Sequence, residues 1–157
     1  MLKKNIYLDN HASTKIDSRV IRDMIPFFNN YFGNPHSESH QHGWVLEKHI
    51  SLSRKKIASL LGTSHEEIFF TSGATESNNL AIKGLSLSQD KKKHIITSVT
   101  EHKCILESCK FLEKIGFKVS YLKVDKTGNI NINKLKKLIT KSTFLISLMA
   151  VNNEIGT

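Results

Sequence analysis

Apolar residues recur along this chain with two different periods. From Asp17 onward Val20, Ile21, Met24, Phe27 and Phe28 fall at helical spacing, with Asp17 or Ser18 placed to cap the first turn and Pro26 placed to kink or close the helix. Gly33-Asn34-Pro35 then breaks the chain. A second helix from about Ser39 carries Trp44, Leu46, Ile50, Ile57, Leu60 and Leu61 to a natural stop at Gly62. Beyond it, β-type runs at 67–71, 94–98, 117–122 and 143–149 alternate with helical stretches at 74–86, 101–115 and 131–141. Such alternation gives parallel β/α crossovers, so the expected class is α/β, mostly parallel, with two N-terminal helices. The run 143–149 is apolar on both faces, as a central parallel strand is. Ser86 to Lys93 reads as a polar loop, and there is no internal repeat.

The turns that follow the strands carry the chemistry. After Ile68 to Thr71 the chain breaks at Gly73 and restarts as a helix whose first N–H groups have no acceptor within the helix, among small hydroxyl residues. That arrangement cradles a phosphate, although an ordinary turn capped by Ser72 or Gly73 has the same pattern. After the run His94 to Thr97, Ser98 and Glu101 have capping-box spacing, with His102 in the first turn. After the run Thr143 to Met149, Asn152 and Asn153 have the pattern of an Asx-turn. Ligands of open α/β sheets collect beyond the carboxyl ends of the strands, so a phosphate loop, a histidine and an amide placed there can share one pocket.

Taken in order, YLDNHAST (7–14), FGNPHSESHQHGW (32–44), TSGATESNNLAIKG (71–84), HIITSVTEHK (94–103) and VNNEIG (151–156) resemble the N-terminal part of a cysteine desulfurase, among the pyridoxal-phosphate enzymes of the class V aminotransferase group. The resemblance implies an incomplete fold-type-I large domain over 14–157, with 1–13 on the small-domain side. It implies that Ala74 and Thr75 hold the cofactor phosphate, that His102 stacks on the pyridine ring, and that Asn153 bonds the phenolic oxygen. It also implies a homodimer acting on L-cysteine, giving alanine and an enzyme persulfide for iron–sulfur cluster assembly. Departures at His11, Ser13, Glu38, His42 and Ala150 leave selenocysteine lyase or another class V activity open.

By the same resemblance, the lysine that tethers the cofactor, the aspartate at the pyridinium nitrogen and the sulfur-accepting cysteine lie beyond Thr157. No lysine here stands in the family's Ser-Gly-His-Lys setting, and no residue of the chain is assigned a catalytic role. Lys83 and Lys103 read as helix-surface residues. Cys109 belongs to a buried stripe with Ile105, Leu106 and Leu112, and Cys104 reads as a structural thiol one turn from the pocket.

Composition adds limits. With 157 residues the chain is long enough to bury a core. Two cysteines, no Cys-x-x-Cys, no apolar run of membrane length and no signal-type N-terminus point to a soluble protein of a reducing, cytoplasmic interior. The net charge of +9 comes from Lys91-Lys92-Lys93 and from helix lysines such as Lys134, Lys136, Lys137 and Lys141. Without interleaved aromatics these read as a solvated face, not a nucleic-acid groove. His36, His40 and His42 with Glu38 have ligand-like spacing but lack a helical or cysteine frame, so no metal is expected.

Three functions follow: one half of a split desulfurase completed by a companion chain, an inactive remnant of a broken gene, or a basic binding module. By analogy with the family fold, the strand at 67–71 is expected to lie apart from the other three, and the run at 143–149 to present an unpaired edge. A lone chain is then expected to be sticky, poorly soluble or partly folded.

Overall fold

The computed structural model describes residues 6–10, 12–91 and 93–157. Residues 1–5, His11 of the N-terminal motif and Lys92 of the lysine run lie outside the described residues. The chain divides into two compact units, Met1–Phe70 and Thr71–Thr157.

In the first unit, helix α1 (Ser18–Asn29) starts where the Asp17 carboxylate accepts the Arg19 N–H, and it runs through Pro26 before ending. Helix α2 (Gln41–Leu61) stops at Gly62, whose φ of 68° is open to glycine at little cost. The Gly33-Asn34-Pro35 loop lies against the first turn of α2. A Cβ on Gly33 would strike the His42 carbonyl, and one on Gly43 would strike that of Ser37. The apolar stripes of both helices are largely exposed, Leu60 at 85% and Trp44 at 57%, so the unit buries little of what its periodicity offers.

The strand expected at 67–71 does not form. His65–Glu67 make a single 3-10 turn, and Ile68 is extended with no strand pairing to it among the described residues. An unpaired run must satisfy its backbone elsewhere: Arg54 Nε donates to the Ile68 carbonyl at 3.0 Å. Phe69 and Phe70 remain exposed.

The second unit holds the sheet. Helix α3 (Ala74–Asn79) continues through a π turn (Leu80–Gly84) into α4 (Leu85–Leu87), close to the single helix expected at 74–86. Strand β1 (His94–Ser98), helix α5 (Lys103–Lys114), β2 (Lys118–Leu122), α6 (Ile132–Leu138) and β3 (Thr143–Ser147) follow. The order is β2-β1-β3, all parallel, with the β1–β3 register shifting after His94. β1 is buried along its whole length. Ile95 packs with Ile82, Ile105, Cys109, Leu112 and Phe117 into one core. β3 lies at an edge of this sheet, as expected, and its residues are less buried than those of β1.

One polar residue crosses the sheet. His94, 2% exposed, places Nδ1 2.7 Å from Thr143 Oγ1 and Nε2 2.9 Å from Ser120 Oγ, so it joins β1 to both neighbours. Burial, aided by the Lys118 charge, lowers its pKa from 6.5. Between that ordinary value and the lower folded one the unfolded chain binds the extra proton. The stability His94 permits is therefore complete above 6.5 and is lost as pH falls through that value toward the folded one. Denaturant melts from about pH 7 to about pH 5 should show stability falling less steeply in His94→Gln than in the unsubstituted chain. Parallel slopes would contradict this role.

Candidate functional site

The loops leaving β1 and β3 meet above the carboxyl ends of these strands. Ser98 and Glu101 do not form the capping box that their spacing suggests. α5 is capped by His102, whose Nδ1 accepts the Cys104 N–H at 3.3 Å, while Ser98 Oγ accepts the Thr100 N–H within the turn. Glu101 reaches across instead: it is 8% exposed and accepts the Met149 N–H at 2.6 Å. Asn152 answers from the other side, donating its amide to the Thr100 carbonyl at 3.0 Å. Its Oδ1 accepts the N–H groups of Glu154 and Ile155, which is the Asx-turn the sequence suggests. Two hydrogen bonds thus clasp the loop after β1 to the loop after β3.

The clasp brings two of the four expected cofactor residues together. His102 and Asn153 line one cavity of about 370 Å³, floored by Thr100, Glu101 and Asn152. A second cavity, of about 440 Å³, has His102 and Lys103 on one side and Thr75, Asn79 and Lys83 on the other. His102 belongs to both. Ala74 is exposed at the first turn of α3 and lines neither.

The start of α3 is organised by its own acid. The Glu76 carboxylate accepts the Ser72 N–H at 2.7 Å and the Ser72 hydroxyl at 2.6 Å, and these two bonds hold its pKa below the ordinary carboxylate value. The Glu76 carboxylate thus closes the turn that leads into the helix. Further along, Asn79 Nδ2 donates to the Thr75 carbonyl and its Oδ1 accepts from Ser108 Oγ of α5, which ties the Thr75 turn to the helix that His102 caps.

Other residues stay outside the site. Cys109 is fully buried in the expected stripe, and its thiol is pushed up to about 11, first by burial and then by Glu113 and Glu101. Lys83, by contrast, borders the second cavity, with its Nζ over the Phe111 ring, 4.7 Å from the centroid. Among the described residues no group of three metal-ligating side chains is assembled. His40 Nδ1 accepts the Gly43 N–H at the start of α2, and His42 stacks on Phe32. Lys134, Lys136 and Lys137 are exposed along α6. No helix of the described residues is long and apolar enough to cross a membrane.

The clasp itself was not legible in the spacing of residues. Glu101 and Asn152 each have a local role available, as capping acid and as turn amide, and their long-range partners depend on the strand order. A signal was present in Thr100-Glu101 and Asn152, polar residues in the loops that follow β1 and β3.

Comparison with known proteins places the chain among similar sequences. The model of the aminotransferase class-V family matches residues 6–157. Cysteine desulfurase IscS of Rickettsia felis is 52% identical over 152 residues, 96% of this chain and 37% of that protein. The mitochondrial cysteine desulfurase of Drosophila melanogaster is 50% identical over the same length, 33% of that protein. Among solved structures, a NifS-like protein superposes with a TM-score of 0.94 at 45% identity, covering 98% of this chain and 42% of that one. The apo cysteine desulfurase of Thermococcus onnurineus superposes at 0.85 with 30% identity, covering 96% and 38%. The chain thus spans about a third to two fifths of the length of these relatives.

Removing the Glu101 carboxylate leaves the Met149 N–H without its charged acceptor. Glu101→Ala should lower unfolding stability by about 1.5–3 kcal/mol and speed amide exchange at Met149. Unchanged exchange there would contradict the clasp.

Proposed function

The chain belongs to the aminotransferase class-V family, and from that membership we propose that it furnishes the phosphate and ring contacts of a pyridoxal-phosphate-dependent cysteine desulfurase. The observation that carries this reading is the position of His102, which lines one cavity with Asn153 and another with Thr75. The donor set suits the cofactor. Ala74 and Thr75 offer backbone N–H groups at a helix start that favours an anion, His102 offers a flat imidazole, and Asn153 offers an amide for a phenolic oxygen.

When bound, pyridoxal phosphate supplies an electron sink for bond cleavage at the substrate's α-carbon. The work of this chain is placement. The turn at Ala74 and Thr75 would hold the phosphate, the His102 ring would lie on the pyridine ring, and the Asn153 amide would donate to the phenolic oxygen. The substrate is L-cysteine, and its sulfur passes to a cysteine thiolate as a persulfide for iron–sulfur cluster assembly, leaving alanine.

That cysteine, the tethering lysine and the aspartate at the ring nitrogen come, in this reading, from a companion segment corresponding to the remaining length of the relatives. The exposed apolar faces of α1 and α2, with Phe69 and Phe70, are what such a segment would cover. Residues 14–157 form part of the large domain in this reading, 1–13 stand on the small-domain side, the assembly is a homodimer, and the compartment is the cytoplasm.

Besides its backbone N–H, Thr75 offers the phosphate a side-chain hydroxyl, and the Asn153 amide offers the phenolic oxygen a donor; each of these two is one directional hydrogen bond. In a complex reconstituted with the companion segment, Thr75→Val or Asn153→Ala should release pyridoxal phosphate about tenfold more readily in equilibrium dialysis. Retention equal to that of the unsubstituted complex would remove the assignments.

A further inference from the structure

The ring of His102 is held from its own helix. The backbone N–H of Cys104 lies 3.3 Å from His102 Nδ1, and the Cys104 sulfur lies 3.0 Å from the same nitrogen. A backbone N–H can only donate, so Nδ1 presents a lone pair. Behind the sulfur stands Asn78, whose Nδ2 lies 3.1 Å from Sγ. An amide N–H also can only donate. The sulfur therefore accepts from Asn78 and keeps its own hydrogen for Nδ1. With Nδ1 accepting twice, the single hydrogen of the neutral ring sits on Nε2.

The scaffold around this relay is fixed. Asn78 and Cys104 are both half-buried, and Cys104 packs against the apolar core. Ser108 Oγ donates both to Asn79 Oδ1 at 3.1 Å and to the Cys104 carbonyl at 2.8 Å, so the two helices that carry the relay are bonded to each other one turn away. A thiol suits position 104 because it is small enough for this packing and still offers a donor.

We propose that Cys104, with Asn78 behind it, is a positioning residue that fixes the His102 ring plane and selects the Nε2–H tautomer of the neutral ring. The role rests on the reading that His102 faces the coenzyme ring. A neutral π face accepts an electron-poor ring that an imidazolium would repel.

Nitrogen-15 NMR of the imidazole reads the tautomer in the full chain, in mildly alkaline buffer with no coenzyme present. His102 is expected to show an unprotonated Nδ1 and a protonated Nε2. Cys104→Ala and Asn78→Ala should move both resonances part of the way toward the average of the two tautomers, the N–H of residue 104 remaining as a donor, and Cys104→Ser, which restores the side-chain donor, should move them back. N-ethylmaleimide provides a second route on the unsubstituted chain. It should label Cys104, which faces a cavity, before Cys109, which is buried with a raised pKa, and produce the same shift as Cys104→Ala. A His102 protonated on Nδ1, or alanine and maleimide spectra that superpose on the untreated one, would overturn the proposal. Affinity for pyridoxine 5′-phosphate, measured separately, keeps the two readings apart. A tautomer shift with unchanged affinity upholds the relay and counts against the coenzyme contact; unchanged tautomer with lost affinity overturns the relay alone.

Discussion

A parallel strand paired on both sides sends all its backbone donors and acceptors into two ladders, and β1 is such a strand. His94 to Ser98 align with Lys118 to Leu122 on one side; on the other, His94 aligns with Thr143 and Ile95 to Thr97 align with Leu145 to Ser147. With its backbone satisfied and its side chains buried, β1 cannot slide by one residue without turning Ile95 and Thr97 to the opposite face. The register is what puts the end of β1 beside the end of β3. Glu101 and Met149, and Thr100 and Asn152, are neighbours only because β1 and β3 are adjacent, although the two strands are separated in sequence by all of α5, β2 and α6.

The clasp explains why residues of different visibility share one place. Asn152 is consumed by structure: its amide bonds Thr100, its oxygen caps the following turn, and its backbone meets Thr157 and Gly156. Asn153, next to it and exposed, borders the cavity with His102. Of two adjacent asparagines, one is thus buried in the clasp and the other lines the cavity. A burial pattern alone would favour Asn152 as the functional residue, because buried polar groups attract attention; here its burial is the mark of a hinge pin.

Much of the second unit was legible because its signals are local. The runs at 94–98 and 117–122 and the stripe of Ile105, Cys109 and Leu112 carry their structure in their own spacing, and the strands and α5 appear within a residue or two of expectation. The run at 67–71 failed because a strand is a property of a pair: Phe69 and Phe70 have the right composition, but without a partner the segment stays unladdered. α2 formed at the expected place while its apolar residues stayed exposed, since periodicity fixes which face is apolar but not what covers it. His102, Thr75 and Asn153, which line the two cavities, were singled out from motif and resemblance, whereas the bonds from Asn78 to Cys104 and from Met149 to Glu101 join residues far apart in sequence. Their contacts depend on helix and strand packing that no short window contains.

The central proposal is spatial: the turns at Thr75, His102 and Asn153, which border two cavities that share His102, would together seat one coenzyme. Residue-resolved NMR of the chain titrated with pyridoxine 5′-phosphate, which has the phosphate and the ring but cannot form an imine with lysines, tests it most directly. The expected result is a contiguous set of amide shifts at Ala74, Thr75, His102 and Asn153, saturating together. Shifts confined to the exposed lysines of α6, with those four amides unmoved, would contradict it.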